Sequence, residues 1–308
     1  MEFRSSAVKF FLGSICTLFF LVAAAQIPAG QCSAGMETVA GQAGLGDGGA
    51  AVDALLREPA AVVLDREGNL YISDTFHHRI RKVAPNGTVS TVAGTGNPGW
   101  GGDGGPAVYG SLSYPSALAI DPAGNLYVSE PFAQRIRKIS ADGKLTTLAG
   151  TGRFGFEGDG GPALKARFNG PDGIAADREG NVYVSDSYNH RIRRIDPDGR
   201  ITTIAGTGDR GYGGDGGPAT AATLNYPGAL AVDNAGNLFV ADTLNQRVRR
   251  IDRSGIIQTV VGNGSFGYPR NGEFALEAAI PYVKGLAFDG AGNLYLSFPS
   301  DGRIRMVN

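Results

Sequence analysis

Cysteine is nearly missing from this chain, with two in 308 residues, Cys16 and Cys32. So few thiols exclude a disulfide framework, and the fold must be held by packing and hydrogen bonds. Histidine is almost as scarce, limited to His77, His78 and His190. An excess of one charge is also lacking, since 28 basic residues face 29 acidic ones. That balance excludes a strongly basic nucleic-acid binder and an acidic disordered tail. No long apolar run follows the first 25 residues. Glycine, in contrast, is abundant at 48 residues, with 16 prolines beside it.

The N-terminus reads as an export signal. Arg4 and Lys9 form a positive start, and Phe10 to Ala25 is apolar apart from Gly13, Ser14 and Thr17. Ala23-Ala24-Ala25 then offers a small-residue cleavage site before Gln26. The apolar run is short for a membrane span, which takes about 20 residues. Residues 1–25 are therefore expected to be removed, leaving residues 26–35 as a short linker, Cys32 as the lone thiol and no stable membrane span. The mature chain is expected to be secreted, periplasmic or at the cell surface.

The remainder is one unit read repeatedly. Gly-Asn pairs stand at 68–69, 124–125, 180–181, 236–237 and 292–293, always 56 residues apart. Asp47, Asp103, Asp159 and Asp215 keep the same spacing inside Gly-Asp-Gly-Gly, and Asn271 fills the fifth slot. A fixed period of this size marks a solenoid, propeller or array. In the second copy, Ala117 to Ile120 is a short apolar run, and Pro122 to Asn125 is a turn. Leu126 to Ser129, Gln134 to Ile139 and Lys144 to Ala149 are three further strand-like segments. Four short antiparallel strands make a propeller blade. The connection between copies carries Gly-Gly-Pro-Ala, which predicts one helical turn packed on the blade rim. The last copy stops after three strands, while Glu37-Thr38-Val39-Ala40-Gly41 matches the fourth strand Ser90-Thr91-Val92-Ala93-Gly94. The sequence thus predicts an all-β propeller of five four-stranded blades, closed by pairing of the N-terminal and C-terminal strands, which would remove an open sheet edge.

Gly68 to Asp74 with His77-His78-Arg79-Ile80-Arg81-Lys82 resembles the NHL repeat, as does Gly180 to Asp186 with Asn189-His190-Arg191-Ile192-Arg193. The linking Ala-Gly-Thr-Gly and Gly-Asp-Gly-Gly-Pro-Ala pattern is similar to the extracellular NHL repeats of teneurins and of secreted bacterial proteins. The resemblance spans residues 36–308. It implies a β-propeller in a family most often six-bladed, so six blades is the alternative to five. It also implies a binding or scaffold module, with a minority of relatives being enzymes. The zinc-binding amidating lyase of the family uses three histidines, and this chain lacks that set.

Candidate residues follow from the same ruler. Asp74, Glu130, Asp186 and Asp242 close the second strands, where each can accept turn amides or pair with the arginine five residues on: Arg79, Arg135, Arg191 and Arg247. Arg303 is the fifth arginine, and Phe298 replaces its acid. Groups repeated in every blade are expected to be structural, because chemistry needs a group once. Asp65, Asp121, Asp177, Asp233 and Asp289 end the first strands and receive the same reading. The Asp-Gly-Gly loops carry too few carboxylates for a dedicated calcium loop, so a tight turn is expected there. Two aromatic sets recur: Trp100, Phe156, Tyr212 and Tyr268 in the long connections, and Phe76, Phe132 and Tyr188 in the short turns. Each set either rings one face or staples its loops to the blades. His78 and His190 share one register on alternate blades and are kept as binding candidates.

No catalytic set, metal site or cofactor is expected. The first strands begin Pro59, Pro115, Pro171 and Pro227, with Lys284 as the one residue that stands out there. The chain is expected to be a monomer that binds a protein or glycan partner outside the cytoplasm and no nucleic acid. The alternative is a lactonase-like hydrolase or a lyase with its site in the central channel.

Overall fold

In the computed structural model, which describes residues 38–41 and 46–308, each copy folds around its Gly-Asn turn. The Asp121 carboxylate accepts from the Asn125 backbone N–H at 2.9 Å and from the Asn125 side-chain amide at 2.7 Å. Asp65, Asp177, Asp233 and Asp289 make the same two bonds to Asn69, Asn181, Asn237 and Asn293. Burial opposes ionisation of Asp121, yet the Asn125 contacts hold its carboxyl below the ordinary range. The first-strand acids are hairpin caps, and their 56-residue ruler is explained.

Five antiparallel sheets result among the described residues. Blade 1 comprises Val62–Leu64, Leu70–Asp74, Arg79–Val83 and Val89–Ala93. Blade 2 comprises Leu118–Ile120, Leu126–Glu130, Arg135–Ile139 and Leu145–Ala149. Blade 3 comprises Pro171–Ala176, Val182–Asp186, Arg191–Ile195 and Ile201–Ala205. Blade 4 comprises Pro227–Val232, Leu238–Asp242, Arg247–Ile251 and Ile257–Val261. Blade 5 holds three strands, Gly285–Phe288, Leu294–Phe298 and Arg303–Val307.

The core lies between blades. Ile136 and Ala149 of blade 2 pack on Phe168, Ile174 and Val184 of the next copy, all buried. Burying one such large side chain contributes roughly 1.5–3 kcal/mol. The helical turn predicted after Gly-Gly-Pro-Ala is a single 3-10 turn at Ala107–Tyr109, Ala163–Lys165 and Ala219–Ala221. Its first alanine is buried in each case, and Leu112, Phe168 and Leu224 beyond it plug the interblade core. Gly94 must be glycine, because its φ is +93° and an added Cβ would lie 2.1 Å from the His78 carbonyl oxygen.

The seam between blades 5 and 1 departs from expectation. The Arg303–Val307 strand pairs only with Leu294–Phe298 among the described residues. Thr38 to Gly41 form no strand, and Glu37 lies outside the described residues. Gly41 instead donates its N–H to Ala51 O at 3.0 Å, as Gly94 does to Ala107. Six positions separate Gly41 from Asp47, against nine between Gly94 and Asp103. Ile304 is half exposed, whereas Ile80, Ile136 and Ile192 in the same register are wholly buried. The expected signal and linker, residues 1–35, lie outside the described residues.

Candidate binding face at the channel mouth

The second-strand acids build a repeated buried device. Arg81, Arg137, Arg193 and Arg249 are wholly buried, and each lies 3.3–3.5 Å from Asp74, Glu130, Asp186 or Asp242, which are buried too. The acid's partner is therefore the arginine seven residues on, not five. The arginine five residues on stands directly opposite the acid and the one seven on is two positions further along the same strand, so both share its face, and it is the second that is wholly buried beside the acid. The other side of each guanidinium holds Asp47, Asp103, Asp159 or Asp215 at 2.6–2.7 Å. The Asp-Gly-Gly carboxylates are thus committed to arginines. Each inner acid also accepts a backbone N–H, from Arg57, Ser113, Asn169 or Asn225. Burial pushes Glu130 up to about 7 and Asp186 and Asp242 up to about 6, despite the arginines. In blade 5, Phe298 is buried in the acid's place and Asp301 bonds Arg303 and Arg305.

The arginines five residues on brace loops. Arg79, Arg135, Arg191 and Arg247 donate to the carbonyls of Thr95, Thr151, Thr207 and Asn263. Three aromatics of the long connections stack on this row. Arg135 sits 5.5 Å from the Trp100 centroid, Arg191 3.9 Å from Phe156, and Arg247 3.7 Å from Tyr212. These rings staple their loops while leaving one side in solvent. Tyr268 instead meets Phe266, with centroids 5.7 Å apart.

His78 and His190 are inter-blade staples. The backbone N–H of Tyr114 donates to His78 Nδ1 at 3.2 Å, and that of Tyr226 donates to His190 Nδ1 at 3.1 Å. Gln134 serves Gly170 in the same way at 2.8 Å. Burial lowers the pKa of both histidines, which suits the neutral acceptor role. No group of three or more histidine, cysteine or acidic side chains is placed to hold a metal among the described residues.

The second aromatic set lies where second strands end and first strands begin, at the upper face. Phe76 and Phe132 flank Tyr114, at 5.4 and 5.2 Å. Tyr188 meets Tyr226 edge-on at 4.6 Å. Gly170 takes the position of Tyr114 and Tyr226 in its own copy, and a Cβ there would strike the Tyr188 ring at 2.4 Å. Phe132 is 75% exposed and Tyr188 57%. Serine hydroxyls stitch this face together: Ser73, Ser129 and Ser185 donate to the carbonyls of Ser116, Asp172 and Gly228.

Those carbonyls belong to a position at the channel mouth that recurs at 60, 116, 172, 228 and 284, occupied by Ala, Ser, Asp, Gly and Lys. Lys284 Nζ reaches Asp172 Oδ2 at 3.4 Å, and Ser116 Oγ donates to Asp172 Oδ1 at 3.2 Å. Lys284 therefore does not stand alone at the first-strand starts, and the sequence reading missed Ser116 and Asp172. The available signal was this variable slot in an otherwise regular ruler. Below the mouth is a cavity of about 410 Å³ walled by Leu118, Ile174, Leu230 and Leu286.

This architecture defines a β-propeller made of repeated four-stranded blades. The NHL repeat model matches residues 168–195, and the teneurin NHL domain model matches residues 207–270. The chain belongs to the NHL-repeat β-propellers. It is 34% identical to NHL repeat-containing protein 2 of Homo sapiens over 178 residues, covering 54% of this chain and 24% of that protein. It is 30% identical to Teneurin-3 of Danio rerio over 241 residues, covering 68% of this chain and 8% of that protein. The chain thus spans a quarter or less of the length of these relatives. An auxiliary nutrient binding protein of Bacteroides thetaiotaomicron shares the fold with a TM-score of 0.60 at 16% identity, over 84% of this chain and 60% of that one. Among the described residues no helix is long and apolar enough to cross a membrane.

Proposed function

We propose that this chain is an exported binding module that holds a protein or glycan partner on the upper face of its propeller. One observation carries the reading: exposed aromatics, led by Phe132 and Tyr188, stand on tight turns of the same face as the channel mouth. Rigid display loses little conformational entropy on binding, and aromatic anchors dominate binding energy at such faces. The regular acids and arginines are all engaged in the fold, which argues against nucleic acid as the partner. The alternative, a hydrolase or lyase working in the channel, draws on Ser116 beside Asp172. That hydroxyl donates to a carboxylate, a weak base for activating a serine.

The test is capture of partners from an extracellular fraction, with a glycan array beside it. The full chain is expected to retain a partner, and a Phe132→Ala/Tyr188→Ala variant to lose it while keeping its melting temperature. Turnover of a lactone or ester library without any retained partner contradicts the proposal.

A further inference from the structure

Resting on that reading, we propose that Asp172, Lys284 and Ser116 form a saccharide subsite at the channel mouth, where one sugar unit is held by its hydroxyls. Residues 60, 116, 172, 228 and 284 occupy one slot in five copies, yet they are Ala, Ser, Asp, Gly and Lys. Neighbouring slots that build the blade barely vary: arginine stands at 81, 137, 193, 249 and 305, wholly buried in the first four. A slot that carries five chemistries is not dictated by blade geometry.

The charges in this slot also differ from the structural ones. Each inner arginine pair is wholly buried, whereas the Lys284 and Asp172 side chains are 43% and 31% exposed. An exposed lysine–aspartate pair at 3.4 Å contributes little to stability. It joins blade 3 to blade 5 and skips blade 4. Ser116, Asp172 and Lys284 all line the cavity of about 410 Å³, within the roughly 300–1,000 Å³ of small-ligand pockets.

The ligand class follows from the donor set. An ammonium donates three hydrogen bonds, a carboxylate only accepts, and a serine hydroxyl does both. A neutral sugar diol satisfies all three at once, one hydroxyl donating to Asp172 and its neighbour accepting from Lys284, with neither charge left unpaired. A purely anionic ligand would leave Asp172 facing a like charge, and a purely cationic one would do the same to Lys284. Tyr226 lies within reach of the Asp172 charge, its phenol pushed up by burial, by Tyr188 and by that charge, and Tyr188 meets it edge-on at 4.6 Å. Two tyrosines next to a polar pair give the apolar face of a sugar ring a surface to lie on.

The experiment is calorimetric titration of the full chain with neutral hexoses and their short oligomers, and with a free amino-acid mixture as the rival probe. At least one saccharide is expected to bind. Asp172→Asn and Lys284→Met are each expected to weaken it about tenfold or more, the effect of leaving a charged partner unsatisfied. Their melting temperatures should stay within about 2 °C of the parent, as for exposed pairs. Saccharide affinity unchanged in both variants, or binding of amino acids in place of sugars, overturns the subsite. Loss of a macromolecular partner in Phe132→Ala/Tyr188→Ala, with Asp172→Asn and Lys284→Met silent towards saccharides, overturns the subsite but leaves the binding face standing. Saccharide binding without any macromolecular partner supports the subsite alone.

Discussion

Arg137 and Glu130 are both wholly buried, with Nη1 3.4 Å from Oε2. Asp103 lies on the other side of the same guanidinium at 2.6 Å, half exposed. One cation therefore serves two carboxylates, and the buried one is the costlier to ionise. Burial accordingly pushes Glu130 up to about 7.

This sets a pH dependence with a definite sign. A carboxyl whose pKa is raised on folding contributes stability fully present below its unfolded value, and that contribution is lost as pH rises through its folded value. The Glu130 contribution should therefore fall between about pH 4.5 and about pH 7. Calorimetric melting across this window should show the parent losing stability relative to Glu130→Gln as pH rises. Parallel curves would contradict the shift.

The two arginine rows should behave differently. Arg193→Ala strands Asp186 in the core, and breaking a buried pair costs about 3–5 kcal/mol. Arg191→Ala removes an exposed brace to the Thr207 carbonyl and a stack on Phe156, worth about 1 kcal/mol or a little more. Urea denaturation of the two variants gives the comparison directly. Equal losses would mean that the arginine five residues after the acid carries the pair after all.

The blade 5 edge gives a third contrast. Ile136 is wholly buried between blades, while Ile304 in the same register is 49% exposed. Ile136→Ala should cost about 2–5 kcal/mol, and Ile304→Ala well under half of that. Ser297 points the same way: its hydroxyl is buried without a partner among the described residues, whereas Ser129 bonds the Asp172 carbonyl at 2.7 Å. Ser129→Ala should cost about 1 kcal/mol, and Ser297→Ala should be neutral or stabilising. Equal costs at Ile136 and Ile304 would show that a further strand covers this edge in solution.

Much of the propeller is legible in the sequence because each blade repeats a local instruction. Asp121, Gly124 and Asn125 specify their hairpin without reference to the rest of the chain, and five copies make the signal unmistakable. The partner of Glu130 was harder to read. Arg135 and Arg137 both follow it closely and share its side of the sheet, and only the packing of the blades buries Arg137 beside it while Arg135 turns out to the Thr151 carbonyl. The seam was harder still, because the likeness of residues 37–41 to a fourth strand does not say whether they pair with the last one. The channel mouth was hidden for the opposite reason. Asp172 is 56 positions from Ser116 and 112 from Lys284, and nothing local links them until five first strands converge.

The central claim is that the upper face binds. Hydrogen exchange on the full chain with and without its captured partner tests it most directly. The account predicts slowed exchange confined to residues 74–78, 112–116, 130–134, 168–172 and 186–190, with the Gly-Asn turns at the opposite end unchanged. Protection at those turns, or no protection at the channel mouth, would contradict it.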